Sequence, residues 1–292
     1  MSRRSLTGRA LGLWLVLACG VAGAQTLPYR DETCSEDGLV CLIIEQPDME
    51  TASLSIRTKV HSALTLTLDA EVENVELSTP LPVTAVFEGT ETKTLVKLKH
   101  KQRELAWKYR NVRYTSNWGT PRATHDDSVV YHLPFAPGHP VRVIQGYDGA
   151  FSHHGSNRYA VDFDLPQGSP VHAARAGVVV QVVQHFTAAG TDASYQQKDK
   201  ANRVLVRHSD GTLGYYGHLE PGSVVVKEGQ YVTPWQLLGR SGNTGYSQGP
   251  HLHFEVRKPL DGKQSQTIPV RFNTSQGVGV PLEKDKSYST VR

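Results

Sequence analysis

Short apolar runs rich in Val, Thr and Tyr dominate this sequence, broken every few residues by Gly, Pro or Asp-Gly, and no long stretch keeps a helical period. β-Branched and aromatic residues suit a pleated, half-buried surface, while Gly, Pro and Asp close the turns between strands. The pattern predicts an all-β protein. From Gly38 to about Tyr114, apolar residues alternate or cluster over Leu39–Glu45, Ala52–Lys59, Ser62–Asp69, Val83–Glu88, Lys93–Lys99 and Leu105–Val112. Pro47, Pro80, Pro82 and Gly89-Thr90 punctuate them. Short strands at such spacing suggest a small β-sandwich, an immunoglobulin-like arrangement being one form of it. This region carries no chemical constellation; His61 and His100 are isolated strand residues.

A polar, irregular stretch, Thr115–His132, marks a boundary, and Pro134–Pro140 leads stiffly into a second β region. There Val178–Val183 reads as a continuous apolar strand and Thr187–Lys200 as a polar surface insertion. Arg203–His208 and Thr212–His218 flank Ser209-Asp210-Gly211, a hairpin signal. Val224–Val226, Gln230–Val232 and His251–Arg257 are further strands, and the polar, Gly-rich tail after about Asn273 shows no strong element.

The N-terminus reads as an export signal. Arg3, Arg4 and Arg9 precede an apolar run, Leu11–Ala18, and Ala22-Gly23-Ala24 offers a small-x-small cleavage site that makes Gln25 the mature terminus. The run is too short to span a bilayer, so no transmembrane span is expected after cleavage. Val16-Leu17-Ala18-Cys19 loosely resembles a lipoprotein box and Ser2–Leu6 a twin-arginine signal. The chain has 31 basic and 28 acidic residues; removing the three signal arginines leaves 28 of each. A neutral mature chain has no electrostatic footprint for nucleic acid. Its two cysteines, Cys34 and Cys41, read as a disulfide, as export to the periplasm or medium allows. With no other thiol, any metal must take His and carboxylate ligands. About 268 mature residues exceed the usual single domain. The expected division is 1–24 signal peptide, 25–125 N-terminal β domain, 126–273 second domain and 274–292 tail.

Eight of the 13 histidines fall between His153 and His253. In the strand containing His251-Leu252-His253-Phe254, residues two apart share a face, so both imidazoles project together while Leu252 and Phe254 face the core. Asp162 is embedded in the apolar run Tyr159–Phe163, where an unpaired charge is costly. His153 and His154 stand upstream, and His218 ends the hairpin. His, Asp, His and His thus come from four separate β segments.

These residues carry a resemblance. Ser152-His153, Tyr159–Phe163, Gly168-Ser169-Pro170-Val171, Ala173–Val179, Tyr216-Gly217-His218-Leu219, Gly242-Asn243-Thr244-Gly245 and Gly249–Phe254 stand in the order of the lysostaphin-type zinc endopeptidases. The stretch from Gly149 to Val256 therefore resembles that family, about a third of the chain. The resemblance implies an antiparallel β peptidase domain over 126–273 and zinc held by His153, Asp162 and His253. It makes His218 and His251 the catalytic pair. Many members place the first His four residues before the Asp, but that position here is Arg158, so the ligand must come from His153 or His154; the Phe-Ser-His form favours His153. Asp164 shares the strand face of Asp162, but the Ala-Val-Asp-Phe match favours Asp162. Tyr216 either lines the cleft or packs in the core, His208 reads as structural or surface, and His172 and His185 as solvent-facing. Asn243 and its glycines shape a loop at the groove.

The activity implied is hydrolysis of peptide bonds in bacterial peptidoglycan stem peptides or cross-links. A second reading from the same family is a non-catalytic activator of cell-wall amidases, with a cell-wall enzyme as partner; the full ligand set favours the enzyme. A third makes the N-terminal region a wall-binding module.

Overall fold

The computed structural model describes residues 27–195 and 200–291. The export segment therefore lies outside the described residues, and none of the described helices is long and apolar enough to cross a membrane. Among the described residues, strands and turns account for nearly all of the regular structure, beside a short 3-10 turn at Gly155–Asn157. The all-β expectation holds, because short apolar runs closed by turn residues can be buried only by pairing with one another.

The described residues form two compact units, one of residues 27–120 with Pro259–Gln264, the other of residues 121–258 with residues 265–291. In the first, Tyr29–Cys34, Val40–Gln46, Thr51–Lys59, Thr90–His100 and Val75–Leu77 make a five-stranded sheet in that order. Leu64–Glu73 is flanked by Val83–Phe87 and Lys108–Trp118 in a second sheet. Both sheets contribute to one apolar cluster, with Leu42, Ile44, Leu54 and Val96 from one and Leu66, Leu68, Phe87 and Val112 from the other. The strand Tyr29–Cys34 was not anticipated, because its residues are almost all polar. It is held instead by antiparallel pairing with Val40–Gln46, which sets Cys34 directly opposite Cys41, and the two are joined in a disulfide. Leu105 is exposed, and the strand expected from it begins at Lys108 and runs on to Trp118 beside Leu64–Glu73.

The second unit is built on a nine-stranded sheet. Its order runs Tyr231–Val232, Gly177–Val183, Arg203–Arg207, Leu213–Gly217, Leu252–Pro259, Val161–Phe163, Val141–Gln145, Ser287–Tyr288, with Ser265–Ile268 also paired to Leu252–Pro259. The hairpin around Ser209-Asp210-Gly211 is antiparallel as expected. Two expectations fail. Val224–Val226 forms no strand; Val225 makes one backbone bond to Leu238 and is largely exposed. The tail is not featureless, since Gly277–Val280 pairs with Arg271–Thr274 and Ser287–Tyr288 with Val141–Gln145. Its anchor is Tyr288, which is fully buried and whose burial contributes on the order of 2 kcal/mol.

Beneath the sheet His208 is buried and structural: its Nδ1–H donates to the Ala176 carbonyl, and its ring meets Tyr131 edge-on. Burial, helped by the Arg175 guanidinium, pushes its pKa down to about 4. The unfolded chain, with a His pKa near about 6.5, binds this proton first, so stability present above that pH is lost as pH falls toward 4. The loss expected is on the order of 3 kcal/mol. Chemical unfolding of wild type and His208→Gln between pH 7 and 4 checks this; an identical pH slope in the two proteins would refute it.

Candidate active site

Three adjacent strands set the site out. Val161–Phe163 pairs with Leu252–Pro259 so that Asp162 faces His253, and Leu213–Gly217 pairs on the other side so that Gly217 faces His253. His218 follows Gly217 directly, and His251 is placed one residue before the central strand by a bridge to Gly242. Strand alternation does the sorting: Leu252, Phe254 and Tyr216 are fully buried in the core, while His253 and Asp162 share the opposite face. Tyr216 is thereby settled as a core residue whose hydroxyl accepts from the Ala174 N–H.

His153 arrives by a different route. It belongs to no strand; a turn in which its N–H donates to the Gly149 carbonyl carries it into the site, and it is fully buried. His154 is exposed and precedes the 3-10 turn. It is thus a turn, not a strand, that buries His153 and leaves His154 at the surface. Asp164 lies beyond the end of its strand, exposed and paired with Arg142 at 3.3 Å. His185 is solvent-facing, as expected, whereas His172 is half-buried.

Asp162 is the hub. Its Oδ1 lies 3.2 Å from His153 Nε2, 2.9 Å from His253 Nδ1 and 3.7 Å from His251 Nε2. Burial alone would raise its pKa, but the histidines beside it hold the carboxyl well below the usual range. A carbonyl can only accept, so the protons on three of the rings are assigned by their partners. His153 Nδ1 donates to the Gly146 carbonyl at 3.0 Å, His218 Nδ1 to Thr244 at 2.6 Å and His251 Nδ1 to Gly249 at 2.8 Å. Each is left with an Nε2 lone pair. His253 is turned the other way, with Nε2 at 3.3 Å from Glu255 and Nδ1 toward Asp162.

This donor set fits a metal. His153 Nε2 is buried with no hydrogen-bond partner, and its lone pair faces a carboxylate oxygen 3.2 Å away. Two acceptors so placed repel unless a cation lies between them. Among the described residues, His153, Asp162 and His253 offer ligand atoms all within 4.8 Å of one another. The other such group is Glu32 with Cys34 and Cys41, whose sulfurs are already bonded to each other. His218 and His251 stand beside the triad, with ring centroids 4.5 Å apart. Burial, with the charge of His251 and His253, pushes the His218 pKa down to about 3, so that ring is neutral at pH 7. Its backbone is in the left-handed region at φ 61°, a conformation a non-glycine residue holds only when its surroundings impose it.

Three residues of the site were missed. Glu255 is buried, receives His253 Nε2 and is bonded by Arg257 at 3.1 Å. Tyr215 meets the His253 ring edge-on at 5.6 Å, over Gly217, where a Cβ would lie 2.5 Å from the Tyr215 ring. Period-two alternation from His253 and across to its neighbour strand could have found both. Gln145, buried opposite Asp162, had no signal.

The model of peptidase family M23 matches residues 156–267. That span holds Asp162, His218, His251 and His253 and begins three residues after His153. The chain is similar to the peptidoglycan DD-endopeptidase ShyA of Vibrio cholerae, 34% identical over 119 residues, which is 39% of this chain and 24% of that protein. It is also similar to lysostaphin of Staphylococcus simulans, 32% identical over 126 residues, 43% of this chain and 23% of lysostaphin. The DD-carboxypeptidase/endopeptidase Mpg of Neisseria meningitidis serogroup B is 34% identical over 116 residues, 40% of this chain and 23% of Mpg. The matched region thus spans about a quarter of the length of each relative.

Proposed function

From a chain that belongs, through residues 156–267, to the lysostaphin-type peptidases of family M23, we propose a zinc-dependent endopeptidase that hydrolyses peptide bonds in bacterial peptidoglycan outside the cytoplasm. The observation that carries the reading is the buried, unpartnered Nε2 of His153 facing the Asp162 carboxylate beside His253. Two imidazoles and one carboxylate are a donor set typical of a catalytic zinc site, which keeps one position open. Bound there, zinc supplies Lewis-acid chemistry, acidifying water and polarising a peptide carbonyl.

The remaining chemistry falls to this chain's own side chains. His218 and His251 have their Nδ1 protons tied to carbonyls, so each presents Nε2 as a proton acceptor toward the site. Two positive rings with centroids 4.5 Å apart repel, so one proton serves the pair. The ring that takes it from the attacking water becomes an Nε2–H donor, able to stabilise the oxyanion and to protonate the leaving amine. Glu255 and the three backbone carbonyls hold the rings in these tautomers.

ShyA is named a peptidoglycan DD-endopeptidase and Mpg a DD-carboxypeptidase/endopeptidase, which supports cross-links containing D-amino acids as the substrate. The disulfide Cys34–Cys41 supports an oxidising compartment. Mature protein incubated with intact peptidoglycan should release fragments whose masses report new free carboxyl and amino ends. An absence of fragments from zinc-loaded protein on several wall chemistries, together with stimulation of a separate amidase, would favour the regulator instead.

A further inference from the structure

We propose that Gln145 is a positioning residue that locks the loop bearing His153 to the strand bearing Asp162, and so sets the affinity of the metal site. The inference rests on the metal-site reading above. It starts from the departure in spacing: His153 lies on a turn nine residues before Asp162, with no strand pairing of its own to hold it in register. Gln145 ends the strand Val141–Gln145 and stands opposite Asp162, on the side away from His253. Its amide nitrogen donates to Asp162 Oδ2 at 2.9 Å and to Ser152 Oγ at 2.8 Å. Its amide oxygen accepts from the N–H groups of Phe151 at 3.1 Å and Ser152 at 3.2 Å.

One buried side chain therefore spends both donors and its acceptor on joining two ligand-bearing segments. The bond to Oδ2 turns the carboxylate so that Oδ1 is left toward the three histidines. The bonds to Phe151 and Ser152 fix the backbone immediately before His153. The Gln145 amide carries no charge, so it orients the carboxylate without competing for the metal. Gly149 completes the device: a Cβ there would lie 2.4 Å from Gln145 Cγ and 2.9 Å from Cδ. No other group approaches as closely at that position, and its backbone is not in the left-handed region. A methyl at 149 would thus act by displacing the amide.

Groups that orient metal ligands typically cost 10–100-fold in metal affinity when removed. Gln145→Ala and Gly149→Ala should each weaken zinc binding by about that factor, read by chelator competition on the mature chain. Each should also alter the visible absorption of the cobalt(II)-loaded protein. The double variant should bind zinc no more weakly than Gln145→Ala alone, because the methyl then has nothing to displace. If Gln145→Ala does not fold, Gln145→Met keeps the volume without the hydrogen bonds and carries the same expectation for the single variant. Wild-type zinc affinity and an unchanged cobalt spectrum in the Gln145 variant would overturn the proposal, as would an undiminished Gly149→Ala penalty in its background. Stoichiometric zinc in Asp162→Ala, or none in wild type, would instead bring down the metal-site reading and this inference with it.

Discussion

Replacing Asp162 by alanine is expected to take zinc content from about one per chain to near zero, and peptidoglycan cleavage with it. The carboxylate lies within 4 Å of His153, His251 and His253 together. Without it, the buried lone pair of His153 and the Nδ1 of His253 have no anion to share a cation with. His153→Ala should behave in the same way, since only one other imidazole then remains in the donor group. His154→Ala should retain both metal and activity, because that ring is exposed and outside the group. Elemental analysis of protein grown in metal-replete medium, with chelator-treated wild type as the reference, decides it. A full complement of zinc in the Asp162 variant would remove Asp162 from the ligand set.

His218→Ala and His251→Ala are expected to keep zinc while losing turnover by about 100- to 10,000-fold each, the usual contribution of general acid–base groups. Neither ring is in the donor group, and both have their Nδ1 protons committed to backbone carbonyls. The double variant should lose little more than either single one, because the two rings handle a single proton and act as a unit. If the rings instead serve only to orient the ligands, zinc affinity should fall in step with activity. Zinc content and fragment release measured on the same preparations separate the two roles. Undiminished cleavage by zinc-loaded His251→Ala would eliminate that ring from the chemistry.

Much of this site was legible before any coordinates. The period of two in His251–Phe254 places two imidazoles on one face and two apolar side chains on the other, and the burial of Leu252 and Phe254 follows that rule. Asp162 within an apolar run announces a charge that needs a partner. These are local properties, written in the alternation of one strand at a time. The same rule, extended by two residues, reaches Glu255.

What local pattern does not hold is which strands become neighbours, and what turns do between them. Tyr29–Cys34 is a strand through its pairing and its disulfide, not through its own residues. Asp164 obeys the alternation on paper, yet the strand stops at Phe163 and leaves it at the surface. His153 and His154 are indistinguishable by residue type; the turn from Gly146 to His153, tied down by Gln145, buries one and exposes the other. By itself the sequence determined the all-β class, the candidate donor types and the strand face that Asp162 and His253 take, because those depend on side-chain chemistry and a two-residue period. Only the tertiary structure decided that Val141–Gln145, Val161–Phe163, Leu252–Pro259 and Leu213–Gly217 lie side by side, since hydrogen-bonded pairing is set by the whole sheet and by the turns that deliver each strand to it.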